Sequence, residues 1–321
     1  MGLLVSGQWH DQWYDTDSSG GEFIRTDAQF RDWITADGSS GFKAERDRYH
    51  LFVSLACPWA HRTLIFRKLK QLEDIIGVTV VKAEMLDKGW EILPYDDEAA
   101  MDPSPIPGIQ YLYEVYTTTQ EDYSGRVTVP LLWDKKTGTI VNNESSEIIR
   151  MLNTAFNEFT EVDTDLYPAE LHQQIDEINA TVYDNINNGV YKAGFATSQS
   201  AYEKAFKALF TTLDHVEQIL SQQRYLVGTQ ITEADWRLFT TLIRFDSVYY
   251  GHFKTNLQRI EDYPNLSNYV RELYQVDGVA ETVNFEHIKT HYYYSHDTIN
   301  PTRIVPLGPK VDYQRPHNRT A

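Results

Sequence analysis

Cys57 is the chain's only cysteine, and it stands inside the stretch Tyr49-His50-Leu51-Phe52-Val53-Ser54-Leu55-Ala56-Cys57-Pro58-Trp59-Ala60-His61-Arg62. The thiolate rather than the thiol is the nucleophile, so the question is what surrounds the sulfur. Leu51 to Ala56 has the length and composition of a buried strand. Pro58 suits the first position of a helix, where its missing N–H costs nothing. Ala60, Leu64, Ile65, Leu69 and Leu72 then recur at helical spacing and would bury one face on a sheet. Cys57 is therefore expected at or beside a helix N-cap, facing orphan N–H groups and the positive end of the helix dipole, with His61 and Arg62 close in sequence. That setting favours a thiolate. A buried cysteine acting as a small apolar residue is the commoner fate in general, but the strand–Cys–Pro–helix order favours the reactive reading.

The elements that must hold this cysteine have ample chain to draw on. At 321 residues there is room for two domains, and 29 basic against 46 acidic residues leave a net charge of −17. Such a surface repels nucleic acid and anionic membranes. One cysteine allows neither an internal disulfide nor a CxxC centre, which fits a reducing cytoplasm. No apolar run reaches the length of a membrane span. The first ten residues are too short and uncharged for a signal peptide, although Gly2 and Ser6 fit the loose myristoylation pattern. The sequons at Asn143, Asn179 and Asn265 mean little without secretion. The 21 Tyr and 7 Trp suit large packed contacts or a site that stacks on a ring.

In order, residues 1–47 read as a polar, Gly/Ser-rich wrapping arm, with Phe30 and Trp33 as anchors. Residues 48–157 read as an α/β domain. After the Cys57 helix, Val78 to Ala83 forms a second strand and completes a βαβ unit. Glu84 to Arg126 is broken by Pro94, Pro103, Pro105, Pro107 and Gly108, with a turn of helix at Ile109 to Val115; a loop this long is usually functional. Val127 to Trp133 and Thr139 to Val141 form a hairpin in which Pro130 marks an edge, an end or a cis peptide facing a ligand. Asn142 to Glu147 opens a helix with Ile148, Leu152 and Phe156 as its stripe. Residues 158–296 read as all-helical. One long helix runs along Leu171, Ile175, Ile178, Val182 and Ile186 to an end at Asn188-Gly189, and another along Ala205, Leu209, Leu213, Val216 and Leu220. A third starts at Thr232-Glu233-Ala234-Asp235, a capping box with Asp at N3 and an Ile231–Trp236 staple. Further helices are expected from Leu266 to Gln275 and Val279 to His291, and 297–321 is an extended Pro-rich tail.

A small βαβ-ββα domain with a cysteine at its first helix, Val129-Pro130 before a hairpin and Glu144-Ser145 at the next helix, joined to a helical domain, resembles the glutathione transferases. The closer resemblance is to the glutathionyl-hydroquinone reductases, the Xi class, whose motif Cys-Pro-Trp-Ala-His-Arg occurs here at Cys57 to Arg62. Asp87-Lys88-Gly89-Trp90, Arg126-Val127-Thr128-Val129-Pro130, the run Asn187 to Ala196 and Asn300 to Pro306 match further hallmarks, so the resemblance covers most of the chain. It implies a thioredoxin-like N-terminal domain followed by an all-α C-terminal domain, with the site in the cleft between them, and a homodimer. It implies Cys57 as nucleophile, Trp90, Arg126, Val129, Glu144 and Ser145 as glutathione ligands, and Tyr191 and Tyr292 as phenolic groups on the substrate ring. Tyr293 and Tyr294 are neighbours that blur the second tyrosine. The physics of these residues agrees. Val129 can offer backbone groups as an added strand does, and a helix N-terminus at Ser145 can bind the γ-glutamyl carboxylate. Glu144 can pair with an amino group and Arg126 with a carboxylate. Tested against this are an ordinary N-cap for Glu144 and Ser145, and plain packing for Trp90 and the tyrosines.

The expected chemistry is removal of glutathione from aromatic rings through a Cys57–glutathione mixed disulfide, with glutathione as co-substrate and no metal. With no second cysteine, a second glutathione must resolve that disulfide, so ping-pong kinetics follow. An omega-like thioltransferase or dehydroascorbate reductase and a non-catalytic glutathione-binding scaffold are the alternatives. An ordinary conjugating transferase is disfavoured because those usually use Tyr or Ser where Cys57 stands. His287 and His291 have i, i+4 spacing on an expected helix, but no acidic residue completes an HExxH pattern. A nucleotide enzyme lacks both G-x-G-x-x-G and a P-loop.

Overall fold

The computed structural model describes residues 2–319, which divide into two units: residues 2–13, 26–164 and 282–291, and residues 14–25, 165–281 and 292–319. In chain order the first unit contains β1 (Leu3–Val5), β2 (Gln8–His10), β3 (Ile34–Thr35), β4 (Phe42–Lys43), β5 (Tyr49–Val53), α1 (Pro58–Leu69), β6 (Gly77–Val80), α2 (Leu112–Thr119), β7 (Gly125–Arg126), β8 (Leu131–Asp134), β9 (Thr139–Asn142) and α3 (Ser145–Thr154).

The main sheet has the order β6-β5-β8-β9. β5 and β6 run parallel, with Leu51 opposite Val78, while β8 lies antiparallel to β5 and to β9. All five residues of β5 are buried, as a central strand covered on both faces requires. Ile65 and Phe66 of α1 and Ile148 and Leu152 of α3 are fully buried with it, each such side chain stabilising the fold by about 1.5–3 kcal/mol. His50 is a polar exception within β5, and its Nε2 meets Thr79 Oγ1 at 2.8 Å across the parallel pair. Opposite it, a Cβ on Gly77 would come within 2.6 Å of His50 Nδ1, so this close approach requires glycine.

Several elements differ from the sequence reading. The arm holds regular structure: β1 pairs with both β2 and β7 in a three-stranded sheet. Strands of two or three residues leave no readable alternation. β5 stops at Val53 because Ser54 starts a turn, its hydroxyl accepting Ala56 N–H (3.2 Å) and its carbonyl accepting Cys57 N–H (3.1 Å). The weak turn at Ile109 to Val115 is a full helix displaced to Leu112–Thr119, whose start is fixed by Glu114 accepting the Gln110 and Tyr111 N–H groups. Pro130 stands at the head of β8 and its peptide with Val129 is cis.

The second unit is helical. It contains α4 (His172–Val182), α5 (Gly189–Gly194), α6 (Gln199–Gln222), α7 (Glu233–Arg244), α8 (Tyr250–His252) and α9 (Pro264–Tyr274); α10 (Phe285–Ser295) belongs to the first unit through His291 and to the second from Tyr292. The long helix expected to end at Asn188-Gly189 instead passes through a π-helical turn, Tyr183–Asn187, into α5. Gly189 is helical there and stops nothing. A second π-helical turn, Phe245–Tyr249, joins α7 to α8. The capping box at Thr232 is present, Asp235 Oδ2 accepting Thr232 N–H at 2.8 Å. The helix expected from Val279 to His291 is broken: a 3₁₀ turn at Ala280–Thr282 precedes a restart at Asn284, whose Oδ1 accepts His287 N–H. No helix among the described residues is long and apolar enough to cross a membrane.

Candidate functional site

Cys57 is the N-cap residue of α1, with extended backbone (φ −76°, ψ 122°) and Pro58 in the first turn. Its carbonyl accepts His61 N–H at 2.9 Å, so the helix begins at the cysteine itself. The residue is half-buried, and its thiol donates to the Val129 carbonyl oxygen at 3.6 Å. The positive end of the α1 dipole lies at the residue that bears this sulfur, although the thiol makes no cap hydrogen bond to the helix. Val129 is 6 % exposed, and its N–H donates to no acceptor among the described residues. The turn between β7 and β8 therefore presents an unsatisfied donor beside the thiol, the feature an extended peptide ligand can use as an added strand.

Glu144 and Ser145 open α3. The Glu144 carboxylate caps the helix, Oε1 accepting Ser146 N–H at 2.9 Å and Ser146 Oγ–H at 2.8 Å, so the ordinary capping role is filled in this structure. Ser145 is 3 % exposed, and its Oγ accepts from Arg62 Nη1 at 3.2 Å. Arg62 is a residue whose role the spacing alone did not reveal. Its guanidinium is buried, 4.6 Å from the Trp59 ring centroid, and ties the first turns of α1 to the start of α3. Its position five residues after Cys57 was the available signal. Two helix N-termini and a buried cation together make this part of the unit suited to an anionic ligand.

Trp90 is buried rather than a surface ring, stacked on His291 with centroids 4.8 Å apart, and its carbonyl accepts Leu112 N–H. His291 Nδ1 faces the Ala83 carbonyl at 3.0 Å. No group of three or more His, Cys, Asp or Glu side chains that could hold a metal ion lies among the described residues. Arg126 donates through Nη1 to the Gln12 carbonyl and through Nη2 to the Trp13 carbonyl (2.9 Å), so its charge secures the N-terminal arm. Trp9 of that arm donates Nε1–H to the Asp87 carbonyl at 2.8 Å and fastens the loop that carries Trp90.

The expected phenolic groups lie together in the second unit. Tyr191 of α5 and Tyr292 of α10 are 8 % and 2 % exposed, and their hydroxyls share a hydrogen bond. Tyr293 instead turns its hydroxyl toward Ser247 O, and the Tyr294 ring lies under Arg303. Burial pushes the Tyr292 phenol well above its ordinary range, with Tyr191 and Tyr249 adding to the shift and Arg244 opposing it. Arg25 sits over the Tyr191 ring at 5.0 Å, held by Nε–H donation to Asn188 Oδ1 at 2.9 Å. Tyr249 completes the cluster and carried no sequence signal among so many tyrosines. The helices bearing Tyr191 and Tyr249 are π-wound just before or at these residues, a form common at functional sites. Elsewhere in this unit a cavity of about 140 Å³ is lined by Phe23, Gly189, Ala201 and Ala205, with Lys192 and Lys204 each paired to a carboxylate.

Comparison with known proteins gives the family of the chain. Residues 56–155 match the model for the glutathione S-transferase N-terminal domain and residues 199–272 that for the C-terminal domain. The chain is 56 % identical to glutathionyl-hydroquinone reductase YqjG of Escherichia coli K12, over 99 % of this chain and 98 % of that one. The glutathione-bound structure of YqjG superposes with a TM-score of 0.90 at 52 % identity, covering 99 % of each chain. Glutathionyl-hydroquinone reductase PcpF of Sphingobium chlorophenolicum is 55 % identical over 96 % of both chains. The Xi class transferase of Natrialba magadii has a TM-score of 0.92 at 45 % identity, covering 99 % of this chain and 96 % of that one. With a cysteine at its first helix and relatives matched nearly end to end, the chain belongs to the glutathione S-transferase family, among the Xi-class glutathionyl-hydroquinone reductases.

Proposed function

We propose that the chain reduces glutathionyl hydroquinones to hydroquinones with glutathione as co-substrate, and that Cys57 carries the chemistry. The observation that supports this most is the placement of the Cys57 sulfur at the N-terminus of α1, 3.6 Å from the Val129 carbonyl, with the Val129 N–H left for a ligand. Glutathione would lie along Val129, its γ-glutamyl carboxylate at the α3 N-terminus beside Ser145 and its amino group toward Glu144. Trp90 and Arg126 complete the proposed set.

A proton is delivered by the Tyr191–Tyr292 pair to the ring carbon that bears sulfur, and the Cys57 thiolate attacks that sulfur. The carbon–sulfur bond breaks with its electrons returning to the ring, which leaves as hydroquinone, and the new bond is the Cys57–glutathione disulfide. A second glutathione thiolate displaces Cys57 and leaves as oxidised glutathione. The ring is thereby reduced and two glutathione sulfurs oxidised. Glutathionylated aromatic molecules are the partners this requires; the reading also includes a homodimer and a cytoplasmic location, where reduced glutathione is abundant. Sedimentation at micromolar concentration checks the dimer. Mixing enzyme with a glutathionyl hydroquinone and no free glutathione should give one equivalent of hydroquinone and a glutathione mass adduct on Cys57. Hydroquinone release without that adduct would refute the covalent route.

A further inference from the structure

We infer that His291 is a positioning residue for glutathione: its imidazole lies nearly flat against the Trp90 indole, with 4.8 Å between centroids and 21° between planes, and so fixes the direction in which Trp90 offers its Nε1–H. The inference rests on the proposed place of Trp90 among the glutathione ligands.

Trp90 is 4 % exposed, yet its Nε1–H donates to no acceptor among the described residues. A buried indole N–H ordinarily has a partner, so this donor is available to an oxygen of glutathione. The backbone around it is already held. The Trp90 carbonyl accepts Leu112 N–H at 2.8 Å, and the next carbonyl, of Glu91, accepts Lys82 N–H at 2.8 Å. In the turn just before, Gly89 N–H donates to the Leu86 carbonyl at 2.9 Å, and Trp9 Nε1–H donates to the Asp87 carbonyl at 2.8 Å. Gly89 has φ +72°, and a Cβ there would come within 2.6 Å of the Trp9 ring, so this turn requires glycine. What these bonds leave open are the two side-chain torsions of Trp90, and rotation about them re-aims the indole N–H.

His291 removes that freedom. It is 5 % exposed, and its Nδ1 lies 3.0 Å from the Ala83 carbonyl oxygen. A carbonyl only accepts, so Nδ1 carries the proton, and this bond sets the plane of the imidazole. The indole rests on that plane. Ala83, His291 and Trp90 all belong to the first unit, so the support is built within one body. A donor aimed before the ligand arrives avoids the ordering cost that a freely turning ring would add to binding.

His291→Leu removes both the flat ring and the donor, whereas His291→Phe removes the donor alone. Both take the same hydrogen bond from the Ala83 carbonyl, so a role confined to packing and stability would make the two variants alike. When the full-length enzyme is titrated with reduced glutathione, His291→Leu should bind about tenfold more weakly than wild type, the scale of one oriented hydrogen bond, and His291→Phe less than about threefold. Release of hydroquinone in single turnover at saturating glutathionyl hydroquinone should stay within about twofold of wild type in both, because the loss falls on binding. In a Trp90→Leu background the two substitutions should differ by less than about twofold. Should His291→Leu fail to fold, His291→Gln, which keeps a donor and no ring, takes its place with the same expectation. Equal weakening by both variants, unchanged affinity in His291→Leu, a loss confined to the release rate, or the same gap between variants without the Trp90 indole would overturn this inference alone. Unchanged glutathione affinity in Trp90→Leu itself would instead remove Trp90 from the glutathione ligands, and this inference with it.

Discussion

Acidification through the ordinary imidazole range should weaken the α/β unit, and His50 is where the effect can be measured. It sits on the central strand, 3 % exposed, with Nε2 on Thr79 Oγ1. Burial lowers its pKa from 6.5 to about 4, the nearby Asp102 carboxylate opposing that shift without overcoming it. A base that binds protons less well folded than unfolded contributes stability that is complete above its unfolded pKa and lost as pH falls through its folded one. For His50 that window runs from 6.5 down to about 4. Going from pH 7.5 to 5.5 should therefore cost about 1.3 kcal/mol through this residue, approaching about 3 kcal/mol below pH 4. The perturbation is His50→Gln, which removes the titration. Urea unfolding of wild type and variant at pH 7.5 and 5.5 gives four stabilities. The variant should be weaker at pH 7.5, where Thr79 loses its partner, yet lose about 1 kcal/mol less than wild type on acidification. An equal loss in both proteins would refute the assignment of a neutral, proton-excluding His50.

Replacing Cys57 with Ser should abolish turnover while glutathione still binds, because the helix N-terminus and Val129 remain; substantial activity would refute the nucleophile assignment. Alkylation of Cys57 should already be fast below pH 8, and a rate rising only around the ordinary thiol pKa of about 8.5 would contradict activation by the helix. Tyr191→Phe and Tyr292→Phe should each lower turnover roughly 10²-fold with little change in glutathione affinity, and unchanged kinetics in both would return these phenols to a packing role. Asp235→Ala strips acceptors from Leu226 N–H, Thr232 N–H and the Tyr269 hydroxyl, all buried. Its expected cost is about 3 kcal/mol or more, read as a fall in the unfolding midpoint of the helical unit.

What could be read from the chain were features with short-range causes. Cys57 at the head of α1 follows from Pro58 and the apolar spacing behind it, and the cap of α7 from Thr232 and Asp235. The strands of the main sheet followed from their apolar runs. Features set by distant partners were missed. β1 takes one of its two partners, β7, from more than a hundred residues away, so its pairing leaves no local mark in the sequence. α2 was legible only as a turn at Ile109 to Val115 after a run of prolines; its start at Leu112 is fixed by Glu114 and it continues through three consecutive threonines. The continuation of α4 into α5 was hidden by Asn188-Gly189, a pair that usually ends a helix. The break before Phe285 was overlooked because Val279 to His291 reads as continuous helix until Asn284 is recognised as a new cap. At the site, Ser145 was legible, but the Arg62 donation that orients it was not, and Tyr249 has meaning only beside Tyr292.

The most direct measurement compares two rates catalysed by the same enzyme: removal of glutathione from a glutathionyl hydroquinone, and attachment of glutathione to a chlorodinitrobenzene-type acceptor. A protein thiolate is suited to attack a thioether sulfur and is a hazard where glutathione's own thiolate must be delivered. Removal should be much the faster, with parallel lines in double-reciprocal plots against glutathione and loss of the reaction in Cys57→Ser. Faster conjugation than removal, persisting in Cys57→Ser, would contradict the central role given to this cysteine.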